Sequence, residues 1–182
     1  MAMGAGPLRS PRLVVRPATV EQLLAELESR AAFEDAVGCP VPADWPPEHW
    51  DEGPIRWLLE KAQAHPDEPL WTSWFIYLRQ PGGELIIGTL GCKGPPANEG
   101  DGRAVLEIGY GVVASQQRKG IASEAVGLLL EWLRTLGRVT HVRAHTLSGD
   151  PASGGVLRRC GFTLIGKATE DGMAVDRWER AL

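Results

Sequence analysis

The sequence is poor in the residues that fix a fold covalently or through a metal. It has three cysteines, Cys39, Cys92 and Cys160. They are odd in number and widely spaced, with no C-x-x-C, which excludes a disulfide framework and a thiolate zinc site. Reduced thiols in a cytoplasmic protein are the expectation. Of the four histidines, His141 and His145 share one face of a strand. They stand ~13 Å apart at strand rise, too far to hold one ion, so no metal is expected. No apolar run reaches the length of a membrane span, and residues 1–10 lack a signal-peptide core. There is no block of Lys or Arg, and 19 basic against 23 acidic residues leave a formal charge of -4. That balance gives no footprint for nucleic acid or an anionic membrane. Internal repeats, low-complexity tracts and an interdomain linker are also missing. What remains is 182 residues, 43% hydrophobic and 23% charged, enough for one domain with a substantial core.

The stretch 105–136, VLEIGYGVVASQQRKGIASEAVGLLLEWLRTL, organises the rest. Val105, Ile108, Tyr110, Val112 and Val113 are strand formers. Ile121, Ala125, Leu128, Leu129, Trp132, Leu133 and Leu136 recur at helical spacing, and Gly137 supplies a stop. Between strand and helix lies Gln117-Arg118-Lys119-Gly120-Ile121-Ala122. A glycine-bearing turn feeding a helix presents unpaired N–H groups and the positive end of the helix dipole, an anion cradle for phosphate or pyrophosphate.

The spacing Q-x-x-G-x-A at Gln117, Gly120 and Ala122 resembles the coenzyme-A-binding signature of the GNAT N-acetyltransferases. The E-I-G-Y strand before it, and residues 150–162 (DPASGGVLRRCGF) after it, resemble the branch that includes ribosomal-protein N-terminal acetyltransferases. Two positions depart from the pattern: Asp150 stands where Asn is usual, and Leu157 where many relatives have Tyr. The resemblance implies an α/β (α+β) single-domain fold, with a mixed, mostly antiparallel central sheet flanked by helices. It also implies acetyl-CoA as co-substrate, and cofactor contacts from Val112, Val113, Gln117 to Ala122, Asp150 and Ser153.

The remaining elements fit that order. Residues 1–10 read as a flexible tail and 11–182 as the acetyltransferase domain. Residues 11–16 read as a strand; Thr19 caps a helix over 20–37 with Leu23, Leu24, Leu27, Ala31 and Phe33 on its apolar stripe. Residues 38–54 are too proline-rich for a long helix or a central strand. A helix is expected over 55–65, with Trp57 and Leu58 in the core, then strands at 71–79 and 84–92 as a hairpin. Residues 94–102 read as a loop. Further strands are expected at 139–146, 162–167 and 173–181, and a short helix at 153–160.

Amine acylation by a thioester needs a group to take a proton from the ammonium, an N–H donor for the oxyanion, and optionally an acid for the thiolate. Glu107 is the candidate base, its alternative a solvent-facing or ion-paired strand carboxylate. In the family the oxyanion donor is a strand N–H, here Val112 or Val113. Ser153 is a candidate acid, or simply a helix cap. Trp45 and Trp50 in the proline-rich loop are candidate acceptor-binding residues, or satellites of the core. Gly109 to Ala114 match G-x-G-x-x-A, but Ser115 to Lys119 intervene before helical periodicity begins, so a dinucleotide site is rejected. The functional expectation is acetyl transfer to a primary amine, of a protein N-terminus or a small molecule, by direct attack in a ternary complex. A coenzyme-A-binding module without catalysis is the alternative, and a homodimer is left open.

Overall fold

The computed structural model describes residues 6–64, 71 and 73–182. A nine-stranded mixed sheet is built from β1 (Leu8–Arg9), β2 (Leu13–Pro17), β3 (Ser73–Gln80), β4 (Gly83–Cys92), β5 (Ala97–Asn98), β6 (Ala104–Val112), β7 (His141–Leu147), β8 (Thr163–Glu170) and β9 (Met173–Ala181). Its order is β1-β2-β3-β4-β6-β7-β9-β8, with β5 paired on β6. Five helices flank it: α1 (Val20–Glu28), α2 (Arg30–Val37), α3 (Glu52–Ala64), α4 (Ile121–Leu136) and α5 (Pro151–Arg159). This is the mixed, mostly antiparallel α/β architecture expected.

Helix α4 is the crossover that lets β6 and β7 run parallel. Its Ile121, Ala125, Leu129 and Leu133 bury against Leu106, Ile108 and Val142 on one face of the sheet. Leu23, Phe33, Ile55, Leu58 and Leu59 from α1 to α3 bury against Val14, Phe75, Tyr77 and Ile86 on the other. Strand alternation is what gives the sheet two cores.

Several expectations are corrected. The ordered chain begins before residue 11, because Leu8 and Arg9 pair with Val15 and Val14. The helix expected over 20–37 is two helices, broken at Ser29, whose extended backbone ends α1 while its hydroxyl accepts from the Ala32 N–H at 3.1 Å to cap α2. Thr19 does cap α1, in a reciprocal box with Gln22. Trp57 is exposed (38%) rather than buried, since Leu58 and Leu59 take the core positions of α3. The proposed helix end at His65 lies outside the described residues. Residues 94–102 contain the two-residue β5.

Candidate active site

The parallel pairing of β6 with β7 runs only from Val105↔His141 to Ile108↔Ala144. Strand β6 continues to Val112 along β4, and β7 continues to Leu147 along β9. The sheet therefore opens as a fork beyond Ile108 and Ala144. Backbone direction alternates along a strand. Ala104 O accepts from Thr140 N on the β7 side, whereas Glu107 O and Val113 N bond Lys93 and Ile87 on the β4 side. By that alternation Tyr110 and Val112 turn their backbone groups into the fork. An extended ligand entering it would find strand-like donors and acceptors.

Val112 N–H therefore suits an oxyanion donor, but Val113 does not. Its N–H is spent on Ile87 O at 2.9 Å and its side chain is fully buried. The same alternation is the cause, since the β4–β6 register Gly88↔Val112 sets Val113 opposite Ile87 on the hydrogen-bonding side.

After β6 a single 3₁₀ turn (Ala114–Gln116) leads to the anticipated cradle. Gln117 donates its amide to Val112 O at 3.0 Å, so its side chain fastens the turn to the strand end. Arg118 (φ 61°) and Gly120 (φ 77°) adopt left-handed backbone, strained for the first and natural for the second. Gly120 is the N-cap of α4, and no side chain caps that helix. The N–H groups of its first turn are thus presented outward. Lys119 folds back onto Ser115 O (2.8 Å) and Gln116 Oε1 (3.0 Å). Arg12, which no motif marks out, also stands here. A Cβ on Gly120 would lie 3.3 Å from its Nη2, while its Nε bonds Glu124 Oε2 at 2.6 Å.

On the far side of the fork Asp150 caps α5, accepting from Ala152 N–H (2.9 Å) and Ser153 N–H (3.1 Å) through one oxygen. Acting as a cap explains why a carboxylate serves at this position. Ser153 is therefore not the cap. Its Oγ lies 2.9 Å from the Tyr110 hydroxyl, whose pKa burial pushes up to about 12. Tyr110 also donates to Ser153 O at 3.1 Å, so the two hydroxyls form a pair between β6 and α5 that only the fold brings together.

Glu107 lies on the opposite face. Its Oε1 is ion-paired with Lys93 Nζ and stands 3.4 Å from His145 Nδ1. His145 is the first β7 residue past the fork point and its side chain is 11% exposed. Both readings of Glu107 thus hold geometrically: it is ion-paired, and it stands beside the opening.

The 38–51 loop walls this face. Gly111 is required here, because a Cβ would sit 3.0 Å from Pro47 Cβ. Asp44 ties the loop to the turn before α4, accepting from Ser115 N at 2.7 Å and Oγ at 3.2 Å; the first bond holds its carboxyl below the usual range. Trp45 and Trp50 point inward and both donate Nε1–H to Glu26 Oε1, at 2.8 and 2.9 Å. Trp45 also packs on Phe33 at 5.4 Å, and Trp50 on Phe75 at 6.3 Å. Burial pushes Glu26 up to about 6. Glu26, Phe33, Trp45 and Trp50 line a cavity of ≈ 300 Å³ with Arg30, Asp51, Glu52 and Ile55. The tryptophans are packed residues whose exposed remainder borders a pocket. Among the described residues, no group of His, Cys, Asp and Glu could hold a metal, and no helix is long and apolar enough to cross a membrane.

Comparison with known proteins agrees with this geometry. The structure superposes on RimL, a ribosomal L7/L12 alpha-N-protein acetyltransferase, solved in complex with coenzyme A. The TM-score is 0.68 at 20% identity, covering 97% of this chain and 98% of that one. Mycobacterium smegmatis RimJ in complex with CoA-disulfide gives 0.65 at 20% identity, covering 97% and 86%. The microcin C7 self-immunity acetyltransferase MccE with acetyl-CoA and AMP gives 0.63 at 16%, covering 95% and 94%. No curated protein matches by sequence. The model of the acetyltransferase (GNAT) domain matches residues 12–163. The chain belongs to the GNAT acetyltransferase family.

Proposed function

We propose that this protein transfers the acetyl group of acetyl-CoA to a primary amine, by direct attack within a ternary complex. The observation that carries the reading is the forked sheet ending at an uncapped helix N-terminus. The fork offers backbone partners to an amide-bearing arm, and the cradle at Arg118 to Ala122, with Arg12 beside it, offers N–H groups and positive charge to a pyrophosphate. Coenzyme A, present in the RimL and RimJ structures above, has both parts.

The chemistry divides between the two faces of the sheet. The amine approaches from the side of Glu107 and the 38–51 loop, and Glu107 takes its proton directly or through water. Val112 N–H stabilises the oxyanion. Tyr110 and Ser153, on the other face, protonate the departing thiolate. Attack and departure on opposite sides of the carbonyl need no covalent enzyme intermediate. Among amines, a peptide N-terminus is favoured: the loop wall is acidic and aromatic, and RimL is an alpha-N-protein acetyltransferase. The free thiols Cys39, Cys92 and Cys160 suit a cytoplasmic enzyme.

The test is a panel of N-terminal peptides and small amines, each with acetyl-CoA, monitored for free thiol. Release of coenzyme A with peptides supports the proposal. Acetyl-CoA binding without release for any amine would establish the non-catalytic alternative.

A further inference from the structure

His145 sits at the point of the fork with two carboxylates converging on one ring nitrogen. Nδ1 is 3.4 Å from Glu107 Oε1 on β6 and 2.5 Å from Glu170 Oε1 on β8. Neither oxygen lies along the ring's N–H direction well enough for a hydrogen bond, so the resting contacts are electrostatic. Lys93 holds Glu107 from the end of β4. Arg177 is the β9 residue opposite His145. Arg143, two residues earlier on β7, is committed to Glu99 (2.8 Å) and Glu179 (2.7 Å). Within the contact cluster two carboxylates face one lysine, so a proton on His145 brings Glu107, Glu170, Lys93 and His145 to neutrality. The ring is nearly enclosed, whereas the Glu170 side chain is 41% exposed. The three groups thus form a line from the reaction face of the fork to solvent.

We propose that His145 carries the proton released in each turnover from Glu107 to Glu170 and so to water. This rests on Glu107 being the base. An acceptor ammonium holds three N–H hydrogens. The amide product keeps one, one replaces the proton that Tyr110 and Ser153 give to the thiolate, and the third must leave the site. Glu107 accepts that proton while the ammonium becomes the attacking amine. His145 Nδ1 passes its own proton to Glu170 and takes the one held by Glu107, while Nε2 is unchanged throughout. Glu170 then releases its proton to solvent, restoring the starting state. Imidazole is suited to the task because it exchanges protons near neutrality. Glu107 is itself 30% exposed in the free protein, but an acceptor seated against it covers that route, and the path through His145 to Glu170 stays open behind it. His145 acts through Glu107 and is a positioning and relay residue.

The experiment measures kcat, KM for acetyl-CoA and the pH profile for wild type, Glu107→Gln, His145→Ala and Glu170→Gln, with and without added imidazole. His145→Ala leaves a space the size of an imidazole. It is expected to lose about tenfold in kcat with KM for acetyl-CoA unchanged, and to recover when imidazole is added. Glu170→Gln should lose several-fold, and wild type should not respond to imidazole. A His145→Ala loss that imidazole does not relieve, beside an unimpaired Glu170→Gln, would overturn the relay and leave a packing role. Impaired Glu107→Gln with normal His145→Ala would also overturn it while keeping Glu107 as base; normal activity in both would remove the base assignment as well. If melting shows that His145→Ala does not fold, His145→Gln and Glu170→Gln carry the same comparison of pH profiles.

Discussion

At the scale of single residues, carboxylates in different surroundings have different work. Glu107 is accessible beside the fork, and as general base it should be required for turnover and not for cofactor affinity. Glu107→Gln is expected to lower kcat on the order of 10²-fold, with a smaller loss at high pH, where the amine deprotonates unaided. Steady-state kinetics across pH with calorimetric acetyl-CoA binding checks both halves. Glu26 is buried beneath Trp45 and Trp50, and its carboxyl rises from an ordinary 4.5 to about 6 because burial disfavours the charge. A raised folded-state pKa means that the native protein binds the proton more readily than the unfolded chain. The associated stability is full below about 4.5 and is lost as pH rises through about 6. The gap corresponds to roughly 2 kcal/mol. Glu26→Gln keeps an oxygen for the two indoles and removes the charge. Urea unfolding should therefore show the variant gaining stability relative to wild type between pH 4.5 and 7.5, by an amount on the order of 2 kcal/mol. An unchanged difference across that range would mean that Glu26 is solvated.

At the scale of elements, what the sequence could show depends on how local each feature is. The cradle was legible because a turn that brings backbone to a ligand needs small residues at fixed spacing, and Gly120 and Ala122 supply them. Strand β6 was legible by its alternation, which also placed Glu107. Which of Val112 and Val113 keeps a free N–H was not legible, because it depends on which side of β6 the non-local partner β4 lies. Arg12, Glu26 and Tyr110 gained meaning only from partners brought by the fold, such as Trp45 and Trp50, 19 and 24 positions from Glu26. Two predictions belong here. Gly120→Asp adds a side chain against Arg12 and a negative charge at the N-terminus of α4, where an anionic ligand gains most from the dipole. It should abolish the rise in Tm that acetyl-CoA gives wild type; unchanged binding by calorimetry would move the pyrophosphate elsewhere. For the 38–51 loop, truncating Trp45 and Trp50 to Ala removes two partly buried indoles and bares Glu26 Oε1. The loss of packing should lower Tm, and as acceptor wall the loop should also raise acceptor KM while KM for acetyl-CoA stays put. A fall in Tm with acceptor KM unchanged would reduce the tryptophans to core satellites.

At the scale of the molecule, the fork divides one sheet into two sets of strands. β1 to β6 form one, β7 to β9 the other, and the strand pairing between them is four residue pairs, Val105↔His141 to Ile108↔Ala144. Helix α4 covers the join from one side, and ion pairs of Arg103 and Arg143 with Glu99 and Glu179 brace its closed end. Beyond that end each strand has lost a neighbour, so a ligand in the gap replaces the missing ladder. It should stabilise the fold by mass action, about 2.7 kcal/mol at a hundredfold excess over Kd, a rise in Tm of roughly 5–10 °C for a domain of this size. The location of that gain is the sharper test. Hydrogen exchange with and without acetyl-CoA should slow most at the amides of Tyr110 and Val112, which turn toward the fork, and at the first turn of α4. Val113, already bonded to Ile87, should change least among its neighbours. Protection spread evenly over β3, β4 and β9 would show that the cofactor tightens the whole sheet and does not fill its opening.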